Sequence, residues 1–112
     1  MKKIEAIIRP AKVGDVCAAL DETGHPGIMI TEIEGHGKQK GIESTIRGKT
    51  YKVGLMTKAR IEVVAKDEDV EIIVKTIREA AFTGQVGDGK IFIYPVLDAV
   101  RIRTAEQGDI AV

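Results

Sequence analysis

The chain has 112 residues, 44% hydrophobic and 30% charged, and its 17 basic and 17 acidic side chains give a formal net charge of +0. That balance fits one folded domain spanning residues 1–112, and it excludes a disordered chain or one pulled to nucleic acid or anionic membrane by a global field. No apolar run approaches transmembrane length and Met1-Lys2-Lys3-Ile4-Glu5 lacks the apolar core of a signal peptide, so the expected location is cytoplasmic.

Ile4, Ala6, Ile7 and Ile8 form a short apolar run ended by Pro10, which predicts a first strand. Val13, Val16, Cys17 and Leu20 follow at the spacing of one helix face. Cys17, the lone cysteine, has no intrachain partner for a disulfide and is expected to be a small buried hydrophobe on that stripe. Thr23-Gly24-His25-Pro26-Gly27 breaks the helix, and the β-branched run Ile28 to Ile33 predicts a second strand. From Gly35 to about Lys58 the periodicity disappears. A structureless segment of that length exceeds the roughly 12–15 residues a compact domain usually tolerates without a function. It is either a long loop or an extended hairpin turning at Arg47-Gly48-Lys49, and in both cases residues of about 37–55 project from the core.

Ala59 to Ala65 predicts a third strand. Asp67-Glu68-Asp69 then opens a second helix, whose apolar face is Val70, Ile73, Val74, Ile77 and Ala81. Lys90 to Tyr94 predicts a fourth strand, and the alternation in Ala99 to Thr104 predicts a short last one with Arg101 and Arg103 on the same face.

The stretch Thr83-Gly84-Gln85-Val86-Gly87-Asp88-Gly89-Lys90 contains G-x-x-x-x-G-K, close to a phosphate loop in which glycine amides and a lysine hold an anion. Two features separate it from a nucleotide-hydrolase loop. Ile91 offers no hydroxyl for Mg²⁺, and the order is helix, loop, strand rather than strand, loop, helix. The loop is therefore either an anion site of different architecture or a helix C-cap followed by a tight turn.

An internal repeat supports a fold. Adding 60 to Val13, Cys17, Thr23 and Gly24 gives Ile73, Ile77, Thr83 and Gly84. Two β-α-β units with right-handed crossovers make an α+β, ferredoxin-like βαββαβ domain: an antiparallel four-stranded sheet with both helices on one face. The uncovered sheet face calls for another subunit.

Three separated motifs, Gly35-His36-Gly37-Lys38-Gln39-Lys40-Gly41, Thr83 through Phe92, and Arg101-Ile102-Arg103-Thr104, make the whole chain resemble the PII signal-transduction proteins. That resemblance implies a homotrimer that senses nitrogen status by binding ATP or ADP and 2-oxoglutarate. It implies that Gly37, Lys38 and Gln39, with Gly87, Asp88, Gly89 and Lys90, contact the nucleotide, and that Arg101 and Arg103 reach its phosphates from the neighbouring subunit. Gln39 would ligate Mg²⁺ on ATP, and 2-oxoglutarate would complete the metal shell, held by Gln39, Lys40, Gly41 and Lys58. Such a site suits Mg²⁺, which favours oxygen ligands and substrate phosphates. The segment from Gly37 to about Val53 would dock on a partner, an ammonium channel or an enzyme of nitrogen metabolism, with Arg47 entering the channel mouth. Membrane contact would be only indirect.

The chain departs from the family pattern at several places. Ile46-Arg47-Gly48-Lys49-Thr50-Tyr51 replaces the usual Tyr-Arg-Gly-Ala-Glu-Tyr, so Tyr51 matches the tyrosine uridylylated in many members but in a changed context; a docking role is the alternative. Met29 stands where a threonine often meets the adenine, and Thr57 where a proline often precedes the lysine. No nucleophile with an activating base can be assembled, so a regulator rather than an enzyme is expected. The alternatives are a specialised member, such as a nitrogenase regulator or pure adenylate sensor, and a ferredoxin-like metal-tolerance or nucleic-acid module. His25 and His36 lack metal-ligand spacing, and two Phe, two Tyr and no Trp give RNA little to stack on, so no nucleic-acid partner is expected.

Overall fold

The computed structural model describes residues 1–36, 42–46, 49–53 and 55–112. The elements are β1 (Lys2–Ile8), α1 (Val13–Glu22), β2 (Met29–His36), β3 (Ile42–Ile46), β4 (Lys49–Val53), β5 (Leu55–Ala65), α2 (Val70–Ala81) and β6 (Lys90–Pro95). The main sheet runs β2-β5-β1-β6 with every neighbouring pair antiparallel. This is the expected ferredoxin-like βαββαβ arrangement, with the pair β3-β4 inserted between its second and third strands.

Strand alternation puts Ile4, Ala6 and Ile8 of β1 and Ala59, Ile61, Val63 and Ala65 of β5 on one face, where they are buried with Val16 and Leu20 of α1 and Ile73, Ile77 and Ala81 of α2. Both helices therefore cover the same side. Their entries are alike: each follows a single 3-10 turn, Pro10–Lys12 and Asp67–Asp69. Pro10 suits that position because the first helical N–H needs no partner. Of the three acids before α2, Asp67 is turned back to the Met1 ammonium at 2.6 Å and to Lys2 at 3.5 Å, tying the start of β1 to the start of α2.

The repeat is real, but its register through the core is not 60. Residues 4, 6 and 8 correspond to 61, 63 and 65, the 3-10 turns at 10–12 to 67–69, and buried Val16 and Leu20 to buried Ile73 and Ile77, each an offset of 57. The offset becomes 60 only at the Thr-Gly turns, because α2 has 12 residues against 10 in α1 and Phe82 follows it. The turns themselves match: Gly24 and Gly84 both take positive φ, 83° and 86°, a conformation open to glycine. Cys17 is half-buried, a correction to the buried position expected of it, because the core stripe of α1 runs through Val16 and Leu20.

Two more expectations change. The ladder between β2 and β5 continues to His36 opposite Leu55, so regular structure reaches well into the stretch without periodicity. Within that stretch β3 and β4 pair from Ile42↔Val53 to Ile46↔Lys49, in accord with the hairpin reading. The strand expected over Ala99–Thr104 is absent: the segment makes one isolated bridge, Val100↔Gln107, and turns at residues 102–104.

The other face of the main sheet carries no helix among the described residues. On it Lys3 lies 3.7 Å from Glu5, 3.6 Å from Glu62 and 4.6 Å from the Tyr94 ring centre, and Arg60 lies 3.0 Å from Glu62. Met29, Phe92 and Tyr94 remain 56%, 44% and 41% exposed, more apolar surface than a sheet face left to water usually shows.

Candidate functional site

The glycine loop follows α2 and ends where Lys90 opens β6 opposite Ile7. It is folded around one carboxylate. Asp88 Oδ2 accepts from the Thr83 and Gly84 amides, each at 2.9 Å, while Oδ1 accepts from the Thr83 hydroxyl and from Arg9 Nε at 3.3 Å. The Thr83 hydroxyl, with the backbone amides and Arg9 beside it, holds the Asp88 carboxyl well below the usual carboxylate range. Thr83 Oγ1 also accepts from the Gln85 amide at 3.1 Å.

Two cations from the sheet brace the other side of the loop. Arg9, just past β1, donates from its terminal guanidinium nitrogen to the Val86 carbonyl at 2.8 Å. Lys58 of β5 donates to the Gly87 carbonyl at 2.6 Å. Partial burial pushes the Lys58 ammonium below its usual range, and neighbouring Arg9 adds to the shift while Asp88 opposes it. A lysine that is costly to keep charged is stabilised by any anion that reaches it.

The carboxylate sets an acid limit on this loop. A depressed carboxyl pKa contributes stability that is full above the ordinary aspartate value of ~3.9 and is lost as pH falls toward the lowered value. In the folded protein the amide resonances of Thr83 and Gly84 are expected to hold steady through about pH 4 and to shift together only well below it, as Asp88 takes up a proton, and Asp88→Asn should remove that titration. An unchanged acid titration in Asp88→Asn would assign it to another group.

The structure thus sets Lys58 on the Gly87 carbonyl, next to Asp88, with Gly89 and Lys90 following in the chain. Arg101 and Arg103 stand elsewhere in the chain. The Arg101 amide donates to the Glu106 carbonyl, and the Ala105 amide to the Arg101 carbonyl, both at 2.8 Å. The Arg101 guanidinium lies 2.8 Å from Glu106 and donates to the Ile110 carbonyl at 2.9 Å. No hydrogen bond among the described residues joins either arginine to the glycine loop. Tyr51 lies on β4 in register with Ser44. Gly37, Lys38, Gln39, Lys40, Gly41 and Arg47 lie outside the described residues. Met29 begins β2 opposite Glu62, and Thr57 pairs with Glu34.

Arg9 is the residue that sequence reasoning missed. In the sequence it stands between the apolar run and Pro10, and only the sheet order, which brings the end of β1 beside the loop before β6, reveals its contacts.

The chain shares this architecture with a class of nitrogen regulatory proteins. Residues 1–106 match the family model described as Nitrogen regulatory protein P-II. The chain is 51% identical to the Nitrogen regulatory protein P-II of Azospirillum brasilense, covering all of both chains. It is 50% identical to Nitrogen regulatory protein P-II 2 of Methanothermobacter thermautotrophicus, over all of this chain and 97% of that one. The crystal structure of Arabidopsis thaliana PII bound to citrate matches 99% of this chain and 91% of its own at 37% identity, with a TM-score of 0.82. The chain belongs to the P-II nitrogen regulatory protein family.

Proposed function

We propose that this P-II protein is a non-enzymatic cytoplasmic sensor that binds ATP or ADP and, with Mg²⁺-ATP, 2-oxoglutarate. The observation that carries the reading is the convergence on one loop of Lys58, Gly87 and Asp88, with Lys90 at its exit. An electrically neutral chain gains a local positive site there, suited to a phosphate chain and a carboxylate. The Arabidopsis relative was crystallised with citrate, a polycarboxylate, which favours a carboxylate ligand here also.

In this reading Gly37, Lys38, Gln39 and Gly87 to Lys90 bind the nucleotide. Gln39 ligates Mg²⁺, and Gln39, Lys40, Gly41 and Lys58 hold 2-oxoglutarate. Asp88 serves through its backbone and by folding the loop, because its carboxylate already accepts four hydrogen bonds and would repel a phosphate. Arg101, held by Glu106 and the Ile110 carbonyl, and Arg103 act on the nucleotide of the next subunit in a homotrimer. The helix-free sheet face, with half-exposed Met29, Phe92 and Tyr94, is the surface that trimer covers. The segment of about 37–55, carrying Arg47 and Tyr51, controls a partner, an ammonium channel or an enzyme of nitrogen metabolism. Ligands change that control by binding its conformations with different affinity.

Calorimetric titration of 2-oxoglutarate is expected to show binding with Mg²⁺-ATP and none with ADP or without nucleotide. Gln39→Ala should abolish 2-oxoglutarate binding while largely keeping ATP. Unchanged 2-oxoglutarate affinity in that variant would sink the metal-bridged arrangement, and ATP binding without any 2-oxoglutarate response in the native protein would identify a pure adenylate sensor.

A further inference from the structure

A loop that presents amides to an anion must first decide which way its peptide units face. A trans peptide is planar, and its C=O and N–H point in opposite directions. Fixing the carbonyl of one residue therefore aims the amide of the next. Val86 and Gly87 are the centre of the turn in the glycine loop, and Gly87 has φ 105°. A glycine of positive φ at the third place of a turn is the mark of the form in which the central peptide is flipped relative to the common turn. The two forms differ by a rotation of that one peptide, so whatever holds the Val86 carbonyl selects between them.

Arg9 holds it. One guanidinium nitrogen donates to the Val86 carbonyl at 2.8 Å and another to Asp88 Oδ1 at 3.3 Å, so a single planar group spans both ends of the turn's second half. Lys58 holds the next carbonyl, that of Gly87, at 2.6 Å. Both cations lie close enough to affect one another's charge, so the two carbonyls are drawn toward one region. Across each planar peptide the Gly87 and Asp88 amides therefore point away from the cation that holds the preceding carbonyl. Pro10 fixes the backbone immediately after Arg9, and Ile8 before it is buried, so the guanidinium projects from a rigid base.

We infer that Arg9 is a positioning residue for anion binding: it locks the Val86–Gly87 peptide in the orientation that presents the Gly87 amide to a nucleotide phosphate. The inference rests on the nucleotide site proposed above, but it concerns a residue outside that site's set of contacts, and its first test needs no ligand. In the ligand-free protein, Arg9→Met should move the Gly87 amide resonance and broaden it as the peptide samples both orientations, while the amides of the buried strand β1 stay in place. Arg9→Lys, which keeps the charge but cannot span both acceptors, should give a smaller change. An unmoved Gly87 resonance in Arg9→Met overturns the inference whatever the protein binds.

Ligand titrations then separate positioning from contact. Loss of one charge-assisted interaction corresponds to a drop of about tenfold in affinity, expected for ADP and ATP in Arg9→Met, with adenosine binding unchanged. In an Asp88→Asn background, where one anchor of the guanidinium is already weakened, Arg9→Met should cost less than it does in the native protein. Fully additive losses would put Arg9 on the ligand itself and overturn the positioning role. Failure of the native protein to bind ADP or ATP would refute the proposed nucleotide site, and the Gly87 resonance would still decide the role of Arg9 in the loop.

Discussion

Gly89→Ala is expected to destabilise the folded protein by at least about 3 kcal/mol and to disrupt the glycine loop with it. Two costs combine at this residue. Gly89 has φ 100°, where a side chain is strained, and a Cβ built there would lie 1.7 Å from the Ile7 carbonyl oxygen and 2.8 Å from its carbon. The obstacle is backbone in the central strand β1, opposite Lys90 at the start of β6, and cannot rotate aside as a side chain does. Relief requires the start of β6 to lift from β1, which would move Gly87, Asp88 and Lys90 together. Gly24→Ala supplies the comparison. Gly24 has φ 83° but nothing within 4 Å of the added carbon, so it should carry the conformational cost alone, about 1 kcal/mol. Chemical denaturation of the two variants measures the difference, which is the steric cost of the close approach. Equal losses would mean that the loop moves freely at Gly89.

How much of this was legible beforehand depends on the range of the interaction that decides each feature. The two helices and the strands β1, β5 and β6 were legible because burial writes its period into the sequence: Ile4, Ala6 and Ile8 alternate, and Ile73, Ile77 and Ala81 recur along a helix face. The glycine loop was legible as a loop, yet the contacts that fold it could not be read from composition: Asp88 collects Thr83, Gly84 and Arg9, a contact between residues 79 apart in its longest reach. Arg101 and Arg103 misled for the opposite reason. Alternation over six residues imitates a strand, but among the described residues only the isolated bridge to Gln107 pairs with it, and Glu106 bonded to Arg101 and Thr104 closes the segment into a turn. Ala105 even takes φ 60°, a conformation that no alternation pattern announces. Lys58 was found through its family resemblance. Its physical partner, the Gly87 carbonyl, follows from the sheet order that puts β5 next to β1.

The offset of the repeat makes the second large prediction. Leu20→Ala and Ile77→Ala are each expected to lose about 2–5 kcal/mol, because both side chains are fully buried and their removal leaves a cavity between helix and sheet. Cys17→Ala should lose less than about 1 kcal/mol, since the thiol is small and half-buried. An offset of 60 pairs Cys17 with Ile77, whereas the core offset of 57 pairs Leu20 with Ile77. The three variants therefore test which register carries the stability. Chemical denaturation midpoints at a fixed protein concentration would rank them, with constant concentration required if the folded form is an oligomer. Near-equal losses for Leu20→Ala and Ile77→Ala, with Cys17→Ala close to native, would show that the two halves share one packing scheme from strand through helix and diverge only after it. That divergence has a structural consequence. The longer α2 and Phe82 shift the second Thr-Gly turn three residues later than the first, and it is the second turn alone that continues into Asp88, Gly89 and Lys90. A Cys17→Ala loss matching that of Ile77→Ala would mean that α1 packs one helical position away from where Val16 and Leu20 put it.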